Sequence, residues 1–237
     1  MKRAFTLAEV LITLGIIGIV TSMTIPIIIN NYRSYVLEVQ FKKAYSNLCQ
    51  SILLMKNDLG VENLWKEYVM YDPQTATYIK PENFYNDFDK YIKVIKKVDI
   101  YEIANYNSTN KTISNTGNDL PKAVYIIPDG SSVGRQINNG EIRFWIDVNG
   151  PYKKPNRYGF DIFEFRITSK NDAIVPIKQD KFYTEEELKN EPFPYISGRP
   201  CNKQSKQELN GIGCSWFAIN NINPDDSKKK YWSSLPW

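Results

Sequence analysis

Between Phe5 and Ile29 the chain reads FTLAEVLITLGIIGIVTSMTIPIII, an apolar run interrupted by one charge, Glu9. As a helix rising about 1.5 Å per residue, this run is long enough to cross the roughly 30 Å hydrocarbon core of a bilayer, so it reads as a membrane segment. Only Lys2 and Arg3 carry charge ahead of it, and the positive-inside tendency holds that end in the cytoplasm and exports the rest. A cleaved secretory signal begins the same way, but its apolar region spans about 7–15 residues and ends at a small-residue cleavage site. Here the run is longer and continues into an amphipathic helix. Glu9 also sets it apart from a plain anchor, because a carboxylate in hydrocarbon costs about 2.5–3.5 kcal/mol or more and calls for a partner.

After Asn30 and Asn31 the uniform run gives way to a period. Leu37, Phe41, Ala44, Leu48, Ile52, Met55 and Leu59 recur at intervals of three and four, with Lys42, Lys43, Asn47 and Gln50 off the stripe. One helix from about Thr6 to Leu59 is therefore expected, its first half (to residue 30) in the membrane, its second half (31–60) packed on a sheet, and its end at Gly60. Met55 and Cys49 read as packing residues.

Residues 61–120 mix aromatics, prolines and short charged runs, with a short helix expected near Glu82–Ile95 and a polar loop at 105–119 whose sequons, Asn107 and Asn110, read as incidental. From Ala123 the pattern is β. AVYII runs into the turn Pro128-Asp129-Gly130, and Asn139-Gly140 is a strong hairpin signal. Ile142, Phe144, Ile146 and Val148 alternate, as do Phe163, Phe165 and Ile167. A four-stranded antiparallel meander over 123–167 follows, one face covering the helix stripe. The fold class is α+β: a long N-terminal hydrophobic spine helix packed on a small antiparallel sheet, with a C-terminal loop region at 168–237 and the whole of 61–237 as the exported head.

Composition closes off most chemistry. The chain has no histidine, which removes the usual general base, the commonest metal ligand and every Ser-His or Cys-His pair. Its 30 basic and 26 acidic residues are spread along the chain rather than gathered in a stripe, which argues against nucleic-acid binding. Lys228 to Lys230 with Trp232 and Trp237 are the one basic and aromatic cluster, read as a solvated turn with aromatic packing. Glu185, Glu186 and Glu187 after Thr184 suit the first turn of a short helix rather than a catalytic carboxylate pair. Cys201 and Cys214 fit no CxxC metal site, but in an oxidising compartment they could close a short loop worth about 3 kcal/mol, with Cys49 left over. In 147–161, Asp147, Asn149, Asn156 and Asp161 are hard oxygen donors that could ring a calcium ion. The Asn-Gly and Pro-Asn pairs there are equally ordinary turn residues, and the spacing is not that of an EF-hand.

The leader MKRA followed by Phe5, Thr6, Leu7, Ala8 and Glu9 and then about twenty apolar residues resembles the N-terminal region of type IV pilins and type II secretion pseudopilins. In that family a membrane peptidase cuts before the phenylalanine and methylates the new amine. The resemblance therefore implies a leader of residues 1–4, a cut between Ala4 and Phe5 and N-methylation of Phe5. Ala4 departs from the family, which strongly prefers glycine there. Glu9 would meet the Phe5 amine of a neighbouring subunit, each charge removing the other's desolvation penalty and setting the axial register. Gly18 and Pro26 match a mid-helix glycine and a later proline common in the family, and Pro26 would bend the helix. The tail around Cys201 and Cys214 is similar to the C-terminal disulfide loop of many pilins, and some pseudopilins bind calcium in a head-domain loop.

The function implied is structural. The subunit would sit in a bacterial inner membrane with its head in the periplasm. It would then join itself and other pilin-like subunits in a periplasmic or surface filament, drawn out by a platform protein and a cytoplasmic ATPase. Besides the peptidase and these partners, no cofactor other than the calcium is expected. Two alternatives stand beside it: a DNA-uptake pilin, and a periplasmic ligand-binding or enzymatic domain borrowing a prepilin-like anchor.

Overall fold

The computed structural model describes residues 6–69, 71–72, 77–78, 81–99, 103–104, 106, 112–113, 123–138 and 140–237. Ala4 and Phe5, the cleavage position, lie outside the described residues, as do Asn107 and Asn110.

One helix, α1, runs from Leu7 to Leu59 without interruption. It starts at Thr6, whose hydroxyl accepts from the Glu9 amide while the Glu9 carboxylate accepts from the Thr6 amide, a reciprocal capping box. It stops at Gly60 (φ +65), a left-handed C-cap that glycine adopts without a Cβ clash. Pro26 lies inside α1.

The second half of α1 is amphipathic as its spacing requires. Leu37, Phe41, Ala44, Leu48, Ile52 and Met55 are buried. Leu59 is not: at 42% exposed it is the last residue of the helix, beside the Gly60 cap.

The remaining elements follow in order: α2 (Leu64–Tyr68), the two-residue strands β1 (Tyr71–Asp72) and β2 (Thr77–Tyr78), α3 (Pro81–Ile92), β3 (Lys96–Asp99), and the short pair β4 (Ile103–Ala104) and β5 (Thr112–Ile113). Then come β6 (Ala123–Ile126), β7 (Ser132–Asn138), β8 (Glu141–Asp147), β9 (Ile162–Thr168), β10 (Asn171–Pro176), α4 (Glu185–Leu188) and α5 (Cys214–Asn220).

The expected meander is present as β6 to β9, but the sheet has six strands, ordered β10-β9-β8-β7-β6-β3 and antiparallel throughout. The two additions are edge strands. β3, sequence KKVD, is too short and charged to announce itself, and β10 pairs with β9 across a register shift between Asn171 and Val175.

One face of the sheet carries Phe144, Phe163 and Phe165 against α1 and α3. Phe41 lies 4.4 Å from Phe163 and Phe88 lies 5.2 Å from Phe144, ring centre to ring centre. The opposite face is buried too: Trp145 and Ile162 form a second apolar cluster with Tyr158, Leu209 and Ile212. The segment after β10 therefore covers the back of the sheet, and Arg143, Asp147 and Glu164, in line with Trp145 and Ile162, are buried with it.

Trp232 is buried between Phe41 and Phe163, while Lys228, Lys229 and Lys230 are exposed. That cluster is thus a solvated turn next to aromatic packing. Thr184 caps α4 through a second capping box with Glu187.

Candidate functional site

Two features of the chain are not accounted for by the head's own packing, and a third is polar but enclosed within it. The first is the free half of α1. From Leu7 to Ile29 its large apolar side chains are 41–78% exposed. The most apolar window, of mean hydropathy 2.3, has none of its residues buried, so this is a helix long and apolar enough to cross a membrane. Glu9 stands near its start with Oε2 folded back onto Thr6, 2.8 Å from both the amide nitrogen and the hydroxyl. Alone, the carboxylate answers one orphan amide of the first turn. Gly15 and Gly18 lie further along, and a Cβ added at either would meet nothing within 4 Å. Glycine inside a helix costs roughly 0.5–1 kcal/mol against alanine, and nothing among the described residues repays it at these two positions.

The second feature is the loop between β8 and β9, where the structure brings Asp147, Asn149, Asn156 and Asp161 onto one short segment. It is built tightly. Asp147 Oδ1 accepts from the amides of Asn149 (3.3 Å) and Gly150 (2.9 Å). Gly150 has φ +84, and a Cβ there would come within 2.3 Å of the Gly130 carbonyl oxygen, so the Asn149-Gly150 turn needs its glycine to pack on the β6–β7 turn. Asp161 is fully buried and accepts from the amides of Asn156 (2.8 Å) and Arg157 (2.6 Å). Loss of water pushes its carboxyl up to about 7, despite those two amides and the Asn149 side chain. The side-chain oxygens of Asn149 and Asn156 are shielded from water and have no hydrogen-bond donor among the described residues. The residue types foretold a turn or a cation loop; that two Asn oxygens are left without donors could not be read from spacing.

Arg157, in the same loop, was not singled out by sequence. It is buried, stacks 4.0 Å over Phe160 and donates to the carbonyls of Tyr106 (2.6 Å) and Pro236 (2.9 Å), fastening the loop to the C-terminal segment.

The third feature is polar and internal. On the back of the sheet Arg143 and Glu164 form a buried ion pair at 2.6 Å, with desolvation pushing the Glu164 carboxyl up to about 7 while Arg143 opposes it. Cys201 and Cys214 are joined in a disulfide, as the sequence led us to expect. Cys49 is a free, half-buried thiol whose pKa burial raises, which suits packing rather than reactivity.

The chain belongs to a family of unknown function, DUF6613, whose model matches residues 27–216, from within α1 into α5. No curated protein and no solved structure matches it.

Proposed function

We propose that this chain is a structural subunit of a type IV pilus-like or type II secretion pseudopilus filament, held in a membrane by the first half of α1 before it assembles. The observation that carries the reading is the division of one continuous helix. The apolar stripe of its second half is buried on the head, while its first half exposes almost every apolar side chain and has no partner among the described residues. Such a surface must be covered, first by lipid and then by the same segment of neighbouring subunits.

The free sides of Gly15 and Gly18 fit that reading, because small residues let helices in a low-dielectric bundle approach closely. So does Glu9, whose carboxylate is already turned toward the start of the helix. In a filament it would exchange the Thr6 amide for the amine of a neighbouring Phe5, which a dedicated peptidase would create by cutting after Ala4.

The interior ion pair Arg143–Glu164 is sealed by packing and serves rigidity. The chain makes and breaks no bond of its own in this account.

The test is Glu9→Leu in a host that assembles the filament. The variant should remain in the membrane at normal abundance and fail to enter sheared filaments. Normal entry would contradict the register role.

We also propose that the β8–β9 loop takes calcium. The two donor-free oxygens of Asn149 and Asn156, next to the buried Asp161 and with Asp147 in reserve, are what a hard cation would satisfy. The ion would keep Asp161 ionised and fasten the loop on which the C-terminal segment rests.

A further inference from the structure

At the junction between the free and packed halves of α1 lies a crevice of about 490 Å³ bounded by the spine, the β8–β9 loop and Trp237. Its lining carries Arg33, Lys153, Lys154 and the buried Arg157, and no acidic side chain among the described residues. Arg33, Lys153 and Lys154 are exposed, and none has a carboxylate partner among the described residues. Exposed aromatics crowd the same level: Tyr32 (68%), Tyr35 (64%), Tyr152 (71%) and Trp237 (40%).

The height of this belt follows from helix geometry. At about 1.5 Å per residue, Arg33 stands roughly 6 Å beyond Ile29, the end of the apolar run, and Val36 roughly 10 Å beyond it. The headgroup layer on each side of the hydrocarbon core is about 5–7 Å thick. With the apolar run in the bilayer, Arg33 lies at headgroup level, and Lys153 and Lys154 line the same crevice from the head. Tyrosine and tryptophan favour that plane because one end of each ring system is apolar and the other polar.

We infer that this underside of the head, centred on Arg33, Lys153 and Lys154, docks on the phosphate headgroups of anionic lipids. It would hold the head against the membrane surface while the subunit waits to assemble. The inference rests on the membrane-anchored reading above and adds a lipid class to it. Release into a filament would then have to break these contacts, so the lipid sets part of the barrier to extraction.

The test uses the full chain in nanodiscs of phosphatidylcholine alone or mixed with phosphatidylglycerol, with hydrogen exchange followed in α1 and in residues 149–157. Exchange in 149–157 should slow by on the order of tenfold in the anionic discs, since each basic residue near such a surface contributes a severalfold factor. The slowing should disappear in high salt and in the R33Q/K153Q/K154Q variant, whose three side chains are exposed and whose fold should be unaffected. Equal exchange in both lipids, with the first half of α1 protected, would overturn this inference and leave the anchored reading standing. An unprotected α1 in both lipids would overturn both. Equal slowing in neutral discs on adding inorganic phosphate or a DNA duplex would show a soluble anion site and also overturn lipid docking.

Discussion

Trp237 donates its indole N–H to the hydroxyl of Ser34 at 2.9 Å, joining residues 203 positions apart at the point where α1 passes from free to packed. The same ring meets Phe160 edge-on at 5.0 Å, so one side chain ties the C-terminal segment, the β8–β9 loop and the spine together. Ser34 is only 5% exposed, one turn ahead of Leu37 at the start of the buried stripe.

Trp237→Phe keeps the ring and deletes the donor, leaving a shielded hydroxyl. A loss of about 1 kcal/mol is expected, close to the ordinary net value of one hydrogen bond. Ser34→Ala should lose a similar amount, and the double variant little more than either alone. Urea unfolding of the four proteins measures this coupling; additive losses would mean the bond contributes nothing.

The buried pair Arg143–Glu164 yields a sharper asymmetry. Arg143→Met leaves the Glu164 carboxylate buried without the guanidinium and should cost about 3–5 kcal/mol at a pH where that carboxyl is ionised, whereas R143M/E164L removes both charges and should be close to neutral or stabilising. Equilibrium unfolding of both variants decides it. Equal, large losses would show that the pair supplies net stability rather than merely satisfying itself.

Acid and calcium sensitivity follow from Asp161 and Glu164. Both carboxyls are raised to about 7 by burial, well above the usual unfolded range near 4. Between about pH 4 and pH 7 the folded chain holds protons that the unfolded chain has released, so stability is greatest below that window and declines as pH rises through it. Calcium at the β8–β9 loop would remove Asp161 from this decline by pairing with its ionised form. Millimolar calcium should therefore raise the melting temperature at pH 7.5 and raise it less at pH 5. At 100 times the dissociation constant the gain is about 2.7 kcal/mol. No shift at pH 7.5, or an equal one at both pH values, would contradict calcium binding by Asp161.

Much of this fold was legible from residue order where a period repeats. The interval of three and four from Leu37 to Met55 revealed the buried side of α1, and strict alternation in β8 and β9 revealed the sheet face that meets it. The signal failed where burial has a second cause. Arg143 and Glu164 occupy the outward phase of their strands, and alternation assigns them to solvent. They are buried because the segment from Ile177 onward folds over that face, a long-range event with no local pattern. β3 was missed for a related reason: four residues, three of them charged, form a strand only because β6 offers an open edge. At the candidate site, the exposed apolar helix and Glu9 were plain in the sequence, and the loop donors were recognisable as types. The donor-free oxygens of Asn149 and Asn156 depend on how the β8–β9 loop closes on itself, and the basic belt joins Arg33 to Lys153 and Lys154, more than a hundred positions on; no spacing reveals either.

The central claim is that α1 is the assembly helix of a processed filament subunit, and the N-terminal peptide from membranes of the native host tests it most directly. Mass spectrometry should find a methylated peptide beginning at Phe5. A peptide still beginning at Met1, or a cut beyond the apolar run, in cells whose prepilin peptidase is active would contradict the account.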